Sequence, residues 1–164
     1  MTTDHLILIL EIALIAYGLV SGVFLAFSGF VMKSLGAAQP AGGIESMQII
    51  NIKVMPTIFM VLLIGMSFLS PAFIYYANTN LTGLVANLIM AGAAIFFIGT
   101  FIVSLIFNIP MNEKLAKMDY SADETATYWK HYVKRWTFWN SVRTWSSAIA
   151  AICFLLAVIE LAKA

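Results

Sequence analysis

The sequence predicts an all-α protein, a bundle of four membrane-spanning helices whose long fourth helix extends into the cytoplasm. Three observations predict it. The 164-residue chain is 62% hydrophobic and 10% charged, with a mean hydropathy of +0.92, values that belong to membrane proteins rather than soluble domains. Four apolar runs are long enough to cross a hydrocarbon core of ~30 Å, which takes ~20 helical residues. Eight of the nine Lys and Arg residues fall in the first and third connections between these runs.

The elements follow in order. The first run extends from about Leu6 to Met32, with Gly18, Gly22 and Ala26 as a ladder of small residues suited to close helix packing. Glu11 lies on the same face, near the end that meets the outer interface. The next segment holds Gly36, Pro40, Gly42 and Gly43, then places Ile44, Met47 and Ile50 on one side, as a short interfacial helix would. The second and third runs, about Val54 to Ala77 and Leu81 to Phe107, are separated by Asn78, Thr79 and Asn80, so they form an antiparallel hairpin. Asn108-Ile109-Pro110 predicts a helix break, because the residue before proline disfavours the helical conformation. Ser121 and Glu124 have the spacing of a capping box. No breaker follows, so one helix is expected from about Ala122 through the fourth run, about Trp145 to Ala162. Residues 1–164 read as a single integral membrane domain.

Orientation follows from the basic residues. Lys33 and Lys53 share a face with Lys114, Lys117, Lys130, Lys134, Arg135 and Arg143, and Lys163 alone lies opposite. The positive-inside rule makes the crowded face cytoplasmic and leaves both termini outside, in the inner (plasma) membrane of the cell. A net charge of +1 gives no reason to expect a nucleic-acid partner. Cys153 is the sole cysteine, which excludes an internal disulfide and cysteine-rich metal sites. His5 and His131 fall on opposite sides of the membrane, and no Glu-x-x-His pattern of a di-iron bundle occurs, so neither a metal nor another cofactor is expected. The N-terminus carries Asp4 and Glu11 in place of a basic region, which argues against a cleavable signal peptide.

The candidate site lies where polar residues gather at the cytoplasmic ends of the runs. Trp136, Asn140, Arg143 and Ser147 fall on one helical stripe. Polar groups at membrane depth are costly and usually face a bundle interior or a cavity. The topology permits Asn51, Asn108 and Asn112 to converge on Asn140 and Arg143. An arginine with amide and indole donors around it suits an anion, a carbonyl or a phenolate. The competing reading is an interfacial arginine on lipid phosphate with tryptophans as belt residues.

Four strings occur in order: Gly22-Val-Phe-Leu-Ala-Phe-Ser28; Gly43-Ile44 leading to Met47-Gln48 and Ile50-Asn51; Asn108-Ile-Pro110-Met-Asn112; and Trp136, Trp139-Asn140, Val142-Arg143-Thr144. They resemble a bacterial membrane family grouped with the fungal anthrone oxygenases, along nearly the whole chain. The resemblance implies a small four-span protein that oxidises an anthrone-like phenol to a quinone with molecular oxygen, without a metal or other cofactor. It implies Arg143, Asn140, Asn108 and Asn112 as catalytic residues that supply charge and hydrogen bonds to the anion. Asn51 would add a further hydrogen bond to the substrate, and Trp136 and Trp139 stacking surfaces. Members of that family often carry His after the Trp-Asn pair; this chain has Ser141, so no proton-transfer role is assigned there. The expected partners are membrane lipid and a small hydrophobic aromatic ligand, and a homo-oligomer is compatible with the pattern. The alternative is a non-catalytic membrane module that binds lipid or a partner protein. A small-solute carrier ranks below both, because no inverted repeat is visible.

Overall fold

In the computed structural model, which describes residues 2–163, long helices account for nearly all of the chain and no strand occurs among the described residues. Helix α1 spans Thr3–Ala37, α3 Ile58–Asn80, α4 Gly83–Ala116 and α5 Asp123–Leu161; each is long and apolar enough to cross a membrane. A shorter helix, α2, covers Pro40–Lys53. Pro40 sits in its first turn, where a missing N–H costs nothing.

The first helix packs along α5, α4 lies against another side of α5, and α3 contacts α4 and α1. Aromatic rings fill the middle: Tyr17 meets Phe96 at 4.6 Å and Phe154 at 5.0 Å between centroids, and Phe73 meets Phe154 at 5.1 Å. Large apolar side chains also cover the outside, with Ile58 and Phe68 each 72% exposed and Ile12 60%. A soluble monomer rarely exposes so wide an apolar surface, whereas lipid tails cover it without penalty. Composition, helix length and this outer surface together define an integral membrane protein.

Several expectations change. Helix α3 runs on to Asn80, so the hairpin turn is made by Leu81 and Thr82, with Gly83 at φ 69°, a left-handed conformation that glycine adopts without a Cβ clash. The segment α2 is a helix, and one face of it is packed against the protein. Ile44 and Met47 are fully buried against Leu115, Trp129, Tyr132 and Trp136, a second core that caps one end of the bundle. Gln48 fastens this cap by donating to the carbonyls of Leu115 at 2.8 Å and Met118 at 2.9 Å.

Pro110 does not break α4. The helix passes through Asn108 and Pro110 as far as Ala116, because the turns before the proline are π-helical, at Phe97–Ile102 and Ser104–Asn108. A wider turn relieves the clash and the lost hydrogen bond that proline causes in a tight α-helix. Helix α1 has one π-helical stretch, Phe27–Val31. Ser121 does not cap α5, which starts behind Ala122 without a side-chain cap. Instead the Ser121 N–H and hydroxyl donate to Asp119 at 2.9 and 2.8 Å, and these bonds hold that carboxyl below its usual range. The single long helix from there to Leu161 is as expected. The small-residue ladder faces away from the bundle: a Cβ at Gly18 or Gly22 would touch nothing within 4 Å. Within this chain Gly18 and Gly22 therefore pack against no other helix, while Ala26 is half-buried.

Candidate functional site

The stripe Trp136, Asn140, Arg143 and Ser147 on α5 is buried along its whole length. Arg143 is 6% exposed and turns into the bundle. Its Nη2 donates to Asn140 Oδ1 at 2.7 Å and its Nη1 to Ser104 Oγ at 3.2 Å. The guanidinium carbon lies 4.2 Å from the Phe24 ring centroid and 5.2 Å from that of Trp136, so two aromatic faces flank the cation. No carboxylate pairs with it; the one ion pair among the described residues joins Lys163 to Glu160 at 2.7 Å. Two of the five N–H groups of the guanidinium reach protein acceptors, and Nε is buried without one.

Asn140 completes this layer. Its Nδ2 donates to the Phe24 carbonyl and to Ser28 Oγ, both at 2.7 Å, while its oxygen holds Arg143. Ser141 donates to Ser28 at 3.0 Å. Thr100 joins from α4 by donating to the Arg143 carbonyl at 3.3 Å. The hydroxyl residues that meet Arg143 and Asn140 from outside α5 share a local cause. Ser28 lies in the π-helical stretch of α1, and Thr100 and Ser104 in those of α4. A π turn shifts the register of a helix by about one residue and re-aims its side chains, and such turns recur at functional sites.

A second layer lies beneath the first, on the side of the cap. Asn112 Oδ1 accepts from the Tyr132 hydroxyl at 2.7 Å and from Trp136 Nε1 at 2.8 Å. Asn51, near the end of α2, lies beside the Tyr132 hydroxyl, and its Nδ2 is buried without a partner. Asn108 Nδ2 donates to the Trp136 carbonyl at 3.2 Å, and its Oδ1 is buried and unpaired. Trp136 is thus the partition between the layers, with its ring near Arg143 and its indole nitrogen on Asn112.

Of the residues singled out from sequence, Arg143 and Asn140 touch each other, Asn112 and Asn108 both bind Trp136, and Asn51 stands at the edge of the lower layer. Trp139 joins neither layer. It is half-buried and stacks on Phe107, with centroids 3.6 Å apart and planes 5° from parallel. Sequence reasoning missed Ser104, Ser28, Phe24 and Tyr132. Tyr132 precedes Trp136 by four positions and extends the same stripe, so it was within reach; Ser104 lies in an apolar run that carries no signal. Glu11 is exposed, and no Asp, Glu or His hydrogen-bonds to any member of the network. No group of three or more His, Cys, Asp or Glu side chains comes together among the described residues.

One cleft opens between α4 and α5, lined in part by Phe107, Lys114, His131, Arg135 and Trp139, and a shallower one lies around Ile98, Gly99 and Ser146. Neither of these two clefts is lined by Arg143.

This geometry, a buried arginine held by neutral hydrogen-bonding groups within helices long and apolar enough to span a membrane, defines a class: an integral membrane protein with a polar core. The family model described as anthrone oxygenase matches residues 47–153, well over half of the chain, and the protein belongs to that family. The match includes Asn51, Asn108, Asn112, Trp136, Trp139, Asn140 and Arg143, whereas the Gly22–Ser28 string lies outside it. No curated protein and no solved structure matches the chain.

Proposed function

We propose that this protein is an oxygenase-like enzyme that converts a membrane-dissolved phenol of the anthrone type to a quinone with molecular oxygen, and that Arg143, Asn140, Asn108 and Asn112 act on the substrate anion. The observation that carries the reading is a buried guanidinium with no acidic partner. An unpaired charge inside the membrane is expensive, and an anionic ligand offsets that cost. Anthrone loses its acidic proton to water to form a phenolate whose ring carbon is electron-rich. Dioxygen takes four electrons from that carbon and adds one oxygen atom as the new carbonyl; the other leaves as water. Arg143 lowers the energy of the anion, and the amides fix its oxygen by hydrogen bonds aimed before the reaction begins. Trp136 is the stacking surface inside the network, while Asn51 and Trp139 contact the substrate on its way in. In this reading the end with the α2 cap faces the cytoplasm and both termini lie outside.

A second reading rests on the protein groups that already surround Arg143: the residue ties α1, α4 and α5 together and the protein is a non-catalytic lipid- or partner-binding module. One experiment separates them. Oxygen consumption with a panel of anthrones is measured on reconstituted wild type, Arg143→Lys and Arg143→Ala, beside thermal unfolding of each. Removing a partner of a desolvated charged hydrogen bond costs about 2–5 kcal/mol. Lysine keeps the charge but cannot reach Ser104 and Asn140 with a planar fork, so Arg143→Lys is expected to lose nearly as much turnover as Arg143→Ala. Turnover restored by lysine, or no oxygen uptake by the wild type with any anthrone, defeats the enzymatic reading.

A further inference from the structure

We propose that the cleft between α4 and α5 is a binding site for an anionic phospholipid of the surrounding membrane; it lies outside the Arg143 network and shares only Trp139 with the entry route proposed above. The cleft has a volume of about 330 Å³, at the lower end of the range for small-molecule clefts. Its two walls carry the same polarity gradient. On α5, His131, Arg135 and Trp139 follow one another at helical spacing on one face; on α4, Ile106 and Phe107 lead to Lys114. The apolar residues therefore stand together at one end, where Trp139 stacks on Phe107, and the three basic residues stand at the other. No Asp or Glu lines the cleft.

The position along the membrane agrees with that gradient. Phe68 of α3 meets Phe101 of α4 at 6.5 Å, and the two helices are antiparallel neighbours. Descending from that pair brings Ile58, where α3 begins, to within about a turn of Met111, the π-helical turns of α4 making its descent the slower. With the start of α3 taken as the level where hydrocarbon gives way to headgroups, the cleft straddles it. Ile106 is 58% exposed on the tail side of that level. Lys114, on the headgroup side, lies with its Nζ 4.2 Å from the Tyr128 ring centroid, so its charge is held over the cleft rather than left to wander. A soluble anion would use the basic end alone. A phospholipid matches both ends at once, with acyl chains on Ile106, Phe107 and Trp139 and phosphate on Lys114, His131 and Arg135. Basic pockets between membrane helices at this depth suit anionic headgroups.

The test uses full-length protein in nanodiscs and in detergent. Retention of phosphatidylglycerol against phosphatidylcholine with the same chains is measured by native mass spectrometry, and thermal unfolding in pure phosphatidylcholine checks that each variant is folded. Lys114→Gln and Arg135→Gln are each expected to cut the preference for the anionic lipid roughly fivefold. Lys134→Gln, next in sequence to Arg135 but outside the cleft, is expected to leave the preference unchanged. An equal loss in Lys134→Gln would show a diffuse basic belt and overturn the site. An unchanged preference in Lys114→Gln and Arg135→Gln would also overturn it. Displacement of the lipid by millimolar inorganic phosphate alone would replace the lipid with a soluble anion and reject the assignment.

Discussion

At the scale of single residues, the hydrogen-bonding capacity of two asparagines organises the site. Asn140 uses its amide hydrogens on α1 and its oxygen on Arg143, so it positions the cation relative to a different helix. Asn112 does the converse, one oxygen receiving two donors, the Tyr132 hydroxyl and the Trp136 indole. Asn112→Leu keeps similar bulk but removes that acceptor. Burying an unsatisfied donor costs about 1–3 kcal/mol, and two are created here. Thermal unfolding in detergent should show a loss of at least about 2 kcal/mol, with a change in tryptophan emission as Trp136 loses its bond. A variant as stable as wild type, with unchanged emission, would mean that water replaces the amide and that the lower layer is not closed. Arg143 and its companions were legible in the sequence because a cation among tryptophans stands out against an apolar background. Ser28, Thr100 and Ser104 were not, because isolated hydroxyls in apolar runs most often bond their own helix; Ser104 does so as well, donating to the Thr100 carbonyl at 2.6 Å.

At the scale of elements, local helix geometry decided what periodicity could not. The four long helices follow from length and hydropathy, and the unbroken α5 follows from the lack of any glycine or proline between Asp123 and Leu161. The π-helical stretches did not follow. They hold Pro110 inside a continuous helix and turn Thr100, Ser104 and Asn108 toward α5, while a count of 3.6 residues per turn would misplace those side chains. The glycines make the same point about orientation. Spacing alone favoured Gly18 and Gly22 as contact points, yet close approaches occur at Gly43, Gly92 and Gly99, the last two on the α4–α5 seam. A Cβ at Gly92 would sit 2.8 Å from Cys153 Cβ, 3.1 Å from Phe154 Cδ2 and 3.2 Å from the Ala150 carbonyl. Gly92→Ala should push α4 off α5 and cost about 1–3 kcal/mol. Gly18→Ala should be neutral or slightly stabilising, since alanine is the better helix former. Unfolding midpoints of the two variants check this, and equal midpoints would show that the α4–α5 seam has room the distances deny.

At the scale of the whole molecule, charge is distributed as unevenly as the packing. Eight of the nine Lys and Arg residues lie on or near the end capped by α2, and only Lys163 lies with the termini. By the positive-inside rule the cytoplasm is the expected side for the cap, and labelling checks it. Cys153 is the only cysteine, so Cys153→Ala gives a clean background in which Thr2→Cys and Ser121→Cys can be labelled with a membrane-impermeant thiol reagent. Position 2 should react in intact cells and position 121 only after the membrane is opened. The reverse pattern would invert the protein and put the Arg143 network at the outer leaflet. Charge asymmetry was available from sequence alone. The burial of one face of α2 was not, because a weakly amphipathic pattern does not reveal that Trp129 and Tyr132 stand opposite Ile44 and Met47.

Helix α5 has a mechanical consequence. At 1.5 Å per residue its 39 residues form a rod of about 58 Å, with the aromatic cap around one part and the bundle around the rest. Its backbone has no joint between Trp129 in the cap and Phe154 in the bundle. The aromatic residues of the cap and the residues that hold the buried charge therefore share one uninterrupted helical backbone, with no hinge between Trp129 and Arg143. A displacement of α5 at the cap is carried toward Asn140 and Arg143 along that backbone, against the bonds that tie them to α1 and α4.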